Sequence, residues 1–521
     1  MGVNVPLFSL RSSDSWGIGE LPDVGPFVTW LARAGFDRLL LLPLGTMQHG
    51  ETSPYSALST LAIDPLYIAL EAVPDFSRAG GIDALSPDGQ AALADARAAA
   101  TVRHDLVRRV KDEALTLAFR SFVTDEWEQL TPRASDLAAY VARERWWLDD
   151  YALFQALSAA HGRRSWREWP DALRDRDPRA IDDARRHFGR DVLEHQYRQW
   201  LAETQWQTAR AAARTQAVEI LGDLPFVAAT DSPEVWAHLD EFRLDVSVGV
   251  PPDAFSPTGQ DWGLPMYRWD VIQARGFGWL RQRSRRMAAL YDGVRVDHVI
   301  GLYRTYGRPP GGEPFFSPGE ESDQIAQGHA VMSVLAESGL MLIAEDLGVV
   351  PDFLRPSLAA LGIPGCRVLR WERDWHAPGA PFLEPSSFPP VSAAMTGTHD
   401  TEPLAVWWAE LGEADRAALL ALDGLAAFGP AGVGQPWSPA LRDAFLEVAY
   451  RAGSGDLFLP VQDLFGWHER VNVPGTVGPE NWTWAMPWPV DRLIDRPDCQ
   501  DRAAFLRDLA LTTARGPIRS A

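Results

Sequence analysis

Apolar residues in this chain gather in short runs of strand length, and many runs stop at a turn or helix-start signal. Eight such runs stand out: Val5–Ser9, Leu39–Pro43, Val218–Asp223, Val294–Asp297, Met341–Glu345, Arg367–Trp371, Ala393–Thr398 and Leu457–Asp463. Between many of them the apolar spacing changes to the 3.6-residue period of a helix, as in Asp323–Ser338 and Pro351–Leu361. Strands alternating with helices predict an α/β fold, and eight of them predict a (β/α)8 TIM barrel. From 75 to 215 the pattern differs. Ala-, Arg- and acid-rich stretches with helical periodicity dominate, as in Ala91–Phe119, Asp136–Ala160 and Ala180–Ala213. They predict a helical insertion, 75–215, between the second and third strands of a single catalytic domain covering 1–521. The Pro- and Gly-rich stretches Arg308–Gly319 and Ala377–Pro390 predict long loops. A closing helix over Asp501–Ala514 leaves no separate C-terminal β-domain.

Carboxylates sit where the strands end. The segments are Gly293-Val294-Arg295-Val296-Asp297-His298, Leu342-Ile343-Ala344-Glu345-Asp346 and Met395-Thr396-Gly397-Thr398-His399-Asp400. A parallel barrel presents its reactive groups at the C-terminal ends of its strands. Three acids there supply what a retaining glycosidase-type mechanism needs: a nucleophile, an acid/base and an electrostatic partner. Residues two apart in a strand share a face, so Arg295 and Asp297 point together into the mouth. A guanidinium beside a carboxylate favours its charged form, which suits a nucleophile, although the same spacing also makes plain structural ion pairs. Glu345 and Asp346 face opposite ways, and only one can serve as an acid/base; Asp346 also reads as a cap or loop anchor. Asp400 fits either a charge-stabilising role or the start of a helix. Asp223, in Gly222-Asp223-Leu224-Pro225, ends the third run. The acids therefore follow strands three, four, five and seven.

Composition narrows the chemistry. A formal net charge of −21 argues against nucleic acid or anionic membrane as partner and suits a neutral substrate. Cys366 and Cys499 are the only two cysteines, which excludes a disulfide framework. Met1 to Arg11 lacks a basic region and a signal-length apolar stretch, and no segment approaches the roughly 18 apolar residues of a membrane span. These features predict a cytoplasmic protein. Lys111, the sole lysine, lies in the polar run Arg108-Arg109-Val110-Lys111-Asp112-Glu113, the context of neither a P-loop nor a Schiff base. The 22 tryptophans offer flat faces suited to the apolar sides of sugars.

Longer motifs extend the picture. Trp16-Gly17-Ile18-Gly19-Glu20-Leu21, Ser53-Pro54-Tyr55, Gly222-Asp223-Leu224-Pro225-Phe226-Val227-Ala228 and Gly249-Val250-Pro251-Pro252-Asp253 recur in a known pattern. So do Thr258-Gly259-Gln260-Asp261-Trp262-Gly263, Ala344-Glu345-Asp346-Leu347-Gly348, Pro460-Val461-Gln462-Asp463 and Asn481-Trp482-Thr483-Trp484. With the three acid segments, they make the chain closely resemble the 4-α-glucanotransferases (amylomaltases, or disproportionating enzymes) of glycoside hydrolase family 77, in the α-amylase clan. The resemblance runs through nearly the whole chain and is weakest over 75–215.

The resemblance implies cleavage of an α-1,4 bond in malto-oligosaccharides or glucans and transfer of the chain to a sugar 4-hydroxyl with retention, without cofactor or metal. Asp297 would be the nucleophile, Glu345 the acid/base and Asp400 the stabiliser of the oxocarbenium-like transition state. Arg295, His399 and Asp223 would grip the same sugar ring, with Tyr55 stacked beside it. Ser53, Gln260, Trp262, His298, Asp463 and Asn472 complete the implied substrate-binding set. The rivals are a hydrolase using water as main acceptor and a non-catalytic glucan-binding protein. The chain departs from the family at Ala254, where an aromatic is usual, at Val299-Ile300-Gly301, at Thr401-Glu402-Pro403 and at Ala485.

Overall fold

The computed structural model describes residues 1–252 and 258–515; Ala254 lies outside them. Eight parallel strands close a barrel in chain order: β1 (Gly2–Val5), β2 (Arg38–Leu41), β3 (Glu219–Leu224), β4 (Gly293–Val296), β5 (Met341–Ala344), β6 (Gly365–Val368), β7 (Ser392–Met395) and β8 (Asp456–Pro460). β8 closes on β1, with Gly2 opposite Phe458. This is the expected (β/α)8 barrel. Leu40, Leu221, Ile343, Val368, Met395 and Phe458 form a small apolar cluster apart from the main core. Leu221 shares its strand face with Asp223. The face that packs the interior therefore carries the site one step further up.

The strands lie close to the apolar runs, but several end sooner. The first run, Val5–Ser9, is displaced most: the strand is Gly2–Val5, and Leu7–Ser9 forms a 3-10 turn. Pro6 between them has no N–H to donate to a ladder. The sixth strand ends at Val368 rather than Trp371, and the eighth gives way after Pro460 to the helix Val461–Phe465. Apolar runs report burial, and the turns leaving a barrel strand are buried too.

Two additions rise above the mouth. After β2, strands Gly45–Met47 and Ala57–Ile63 pair as an antiparallel hairpin whose connection carries Ser53 and Tyr55. A four-stranded antiparallel sheet combines Phe242–Val250, Gln260–Tyr267, Thr305–Arg308 and Phe315–Ser317. The stretch Arg308–Gly319 is thus no plain loop: its Pro- and Gly-rich middle is the turn of a hairpin between the last two strands.

Between the hairpin and β3 the chain is helical, the longest helices being His104–Phe122, Pro132–Ala160 and Gly189–Thr215. Pro132 at the first position and the Thr131 hydroxyl, accepting from the Ala134 amide, start the second of these. Lys111 ties this region to the barrel. Its buried ammonium donates to Glu20 at 2.6 Å and to the carbonyls of Leu66 and Ile68, each at 2.8 Å. Among the described residues no helix is long and apolar enough to cross a membrane, and both cysteines are free and buried.

Candidate active site

Arg295, buried near the end of β4, is the hub of the mouth. Its Nη1 donates to Asp223 Oδ2 at 2.7 Å and to Asp297 Oδ1 at 2.9 Å. The geometry follows from register. Asp223 and Arg295 are direct partners across β3 and β4, and Asp297 is two residues on, on the same face. Tyr55 reaches over from the hairpin, and its hydroxyl donates to Asp223 Oδ2 at 2.7 Å. Asp223 Oδ1 is buried and receives no hydrogen bond. Burial pushes the Asp223 carboxyl up from its ordinary range, against the pull of Arg295.

Glu345 and Asp346 part at the end of β5. Asp346 is buried against β6, accepting from the Cys366 amide at 2.6 Å and from Arg355 and Arg367, each at 3.0 Å. Gly365 makes this possible: a Cβ there would lie 2.6 Å from Asp346 Oδ2. Asp346 is thus a loop anchor, and Glu345 takes the face toward the mouth. Glu345 accepts from the His298 amide at 2.8 Å and the Leu347 amide at 3.2 Å. His298 holds a left-handed backbone, φ 47°, sparsely populated for a non-glycine and of the kind that collects at functional sites. Burial pushes Glu345 up to about 7, and the neighbouring Asp297 reinforces the shift while Arg295 opposes it. An acid poised there can give and take a proton near neutrality.

Asp400 forms the opposite wall. Its Oδ1 accepts from Asn472 Nδ2 at 2.6 Å, and its Oδ2 lies 3.4 Å from His399 Nε2. The Tyr55 ring stacks on His399 with centroids 5.1 Å apart, and Trp482 lies 5.8 Å from Tyr55 and 5.7 Å from His399. Asp400 does not start the helix that follows. That helix, Leu404–Glu410, is instead held by Asp463, which accepts from the Leu404 amide at 2.8 Å and the Thr396 hydroxyl at 2.5 Å. With both oxygens so engaged and the side chain buried, Asp463 stands apart from the residues that face the mouth.

Of the remaining sequence candidates, Trp262 lies edge-on to His298 at 4.8 Å, and its indole N–H donates to the exposed Gln260 at 3.2 Å. Burial pushes His298 down to about 4, which leaves it a neutral ring at physiological pH. Ser53 shapes the Tyr55 turn, accepting from the Tyr55 amide at 3.3 Å. Sequence reasoning passed over three neighbours. Trp482 belongs to a quoted motif but had no role assigned. Arg470 donates to the Asp400 carbonyl at 2.8 Å and to Glu402 at 3.3 Å, and Arg370 donates to Glu402 at 2.5 Å. Nothing in their local sequence marks either arginine. Among the described residues no three His, Cys, Asp or Glu side chains are placed to hold a metal ion.

Carboxylates facing one another across the C-terminal mouth of a parallel barrel, one of them poised near neutrality, define a barrel enzyme of the glycoside-hydrolase kind. The chain belongs to glycoside hydrolase family 77, the 4-alpha-glucanotransferases, whose sequence profile matches residues 5–491. It is 33% identical over 525 residues to the 4-alpha-glucanotransferase of Thermus thermophilus, covering 96% of each chain. Against the Synechocystis sp. 4-alpha-glucanotransferase it is 33% identical over 486 residues, covering 90% of each. The solved amylomaltase from Streptococcus agalactiae, in complex with acarbose, matches with a TM-score of 0.81 at 25% identity and 99% coverage of both chains.

Proposed function

We propose that this enzyme cleaves an α-1,4 bond of a malto-oligosaccharide or glucan, holds the donor chain on Asp297, and passes it to the 4-hydroxyl of a second sugar. Asp297 attacks the anomeric carbon while Glu345 gives its proton to the departing glycosidic oxygen. Glu345 then takes the proton of the incoming hydroxyl, which displaces Asp297. Two inversions retain the α configuration. Asp400, held by Asn472 and beside His399, stabilises the positive charge that develops on the ring. Asp223 and Arg295 bind its hydroxyls, and the Tyr55 face covers the same sugar. Trp262 and Gln260, with His298 beneath, line the acceptor side. Asp463 serves the site from beneath, through Thr396 and the start of the Leu404–Glu410 helix.

The observation that carries this reading is the geometry at the mouth: Asp297 is held on Arg295 Nη1 at 2.9 Å, and Glu345 faces it on the His298 amide at 2.8 Å, where burial pushes its carboxyl up to about 7. Residues 75–215 act as an insertion within one catalytic domain, buttressing the hairpin that bears Tyr55. Free Cys366 and Cys499 fit a reducing cytoplasm. Incubation with maltotriose tests the reaction. The expected products are glucose together with a ladder of longer oligomers. Glucose and maltose alone would make the enzyme a hydrolase.

A further inference from the structure

Of the 22 tryptophans, only Trp371 and Trp375 are exposed, at 37% and 67%, and both belong to the segment that leaves β6. Every other tryptophan is buried or half-buried. This segment departs from the same end of the barrel that carries Asp297, Glu345 and Asp400. Its root is fixed: the Trp371 amide donates to the Val368 carbonyl at 2.9 Å. Its tip is a tight hairpin. The Asp374 amide donates to Pro381 and the Leu383 amide to Glu372, each at 2.9 Å. Asp374 Oδ1 accepts from the amides of His376 and Ala377, both at 3.2 Å. Arg373 lies 3.7 Å over the Phe382 ring and donates to Asp415 at 2.8 Å.

Burying an indole is favourable, so two exposed ones on a single short segment stand out against twenty that are buried or half-buried. Here the backbone is pinned on both sides of Trp375, and the ring stays exposed with the Arg373 guanidinium 5.8 Å from its centroid. The segment is also joined to the catalytic wall, since Arg370 and Arg470 share Glu402, and Arg470 holds the Asp400 carbonyl. A flat apolar face with a polar edge, held beyond a mouth that takes sugars, suits the C–H face of a pyranose.

We propose that Trp375, with Trp371 at the root of its loop, is an outer platform on which a long α-glucan stacks beyond the catalytic mouth, so that it favours long chains over short ones. This rests on the glucan reading given above. The residue it adds is Trp375, which neither the acid motifs nor the loop signatures contain.

The test uses the full chain with Trp375→Ala and Trp375→Phe. In one measurement, KM is compared for amylose, maltoheptaose and maltotriose. In another, migration is followed in native gels containing soluble starch, which reads binding without turnover. For Trp375→Ala the amylose KM is expected to rise about three- to tenfold, the rise shrinking as the donor shortens. Retardation by starch should weaken in parallel, and Trp375→Phe should restore most of both. An equal change for every donor, or none, would overturn the platform. So would unchanged starch retardation with an altered molar mass by light scattering, which would make this face a protein interface. Failure of the unaltered chain to produce a ladder from maltotriose would count against the transfer reading alone, because starch retardation does not depend on it.

Discussion

Asp75, in the helical region, and Asp223, in the barrel mouth, are both shielded from water and both face an arginine. The use of their oxygens differs. Asp75 Oδ1 accepts from Arg133 at 2.6 Å and also from Arg78, while Oδ2 accepts from Arg133 at 2.7 Å and from the Tyr197 hydroxyl at 2.7 Å. Nothing on that carboxylate is left to bind anything else. Asp223 crowds Arg295 and Tyr55 onto Oδ2 and leaves Oδ1 bare. Glu345, two strands away, takes only two backbone amides and is lifted to about 7. A buried charge that is fully hydrogen-bonded fixes a structure, and one left partly open is a strain that a substrate can relieve. The same residue types therefore serve stability in one place and are proposed to serve chemistry in the other.

Exchanging one acid in each region should separate the two roles. Asp297→Asn should lower kcat for transfer by about ten-thousand-fold or more, because no covalent intermediate can form. Its melting temperature should hardly move, since Arg295 keeps Asp223 as a partner. Near-normal turnover of that variant would remove Asp297 from the nucleophile's role. Asp75→Asn should show the converse. It removes one buried charge and leaves Arg133 with Glu126 as its one carboxylate partner, at a cost of about 3 kcal/mol. Denaturant unfolding should record the loss, while turnover at low temperature stays close to that of the unaltered chain. If Asp75→Asn crippled catalysis at constant fold, the division between the regions would be wrong.

How much of this was legible beforehand depended on how local the cause was. Seven of the eight barrel strands overlapped the apolar runs by two residues or more, because a strand buried on both faces is mostly apolar, whereas the first shared only Val5 with its run. Arg295 beside Asp297 was readable from the period of two. Glu345 against Asp346 was not, since the choice turns on Gly365, twenty residues on, leaving room for the Asp346 carboxyl. Asp463 looked like a substrate ligand by its motif, yet it anchors a helix whose start, Leu404, is remote in sequence. The antiparallel sheet that carries Trp262 was hidden for a related reason. Its strands come from two separate excursions, and its outer faces are too polar to leave an apolar run. The arginines around Asp400 act through contacts that no local pattern encodes.

At Glu345 the cost of leaving a site unsatisfied can be read as stability. Its carboxyl is raised from the ordinary value to about 7 in the folded chain. A group whose folded pKa is raised keeps its favourable contribution while protonated, and loses it as pH climbs through the folded value. The native chain should therefore lose stability between about pH 4.5 and 7 on this group's account. Glu345→Gln removes the ionisation while preserving shape. At pH 8 it should be more stable than the unaltered chain, by about 1–2 kcal/mol once solvent screening of the half-buried side chain is allowed for. The gain should shrink as the pH falls toward 4.5. Activity should move the other way. The unaltered enzyme's kcat/KM should decline above about pH 7 as the general acid deprotonates, and the variant's small residual rate should lack that limb. Paired unfolding curves and rate profiles at pH 5 and pH 8 would check both signs. A variant that is no more stable at pH 8 would mean Glu345 is as well satisfied as Asp75, and that the proton needed for cleavage is supplied by another group in the mouth.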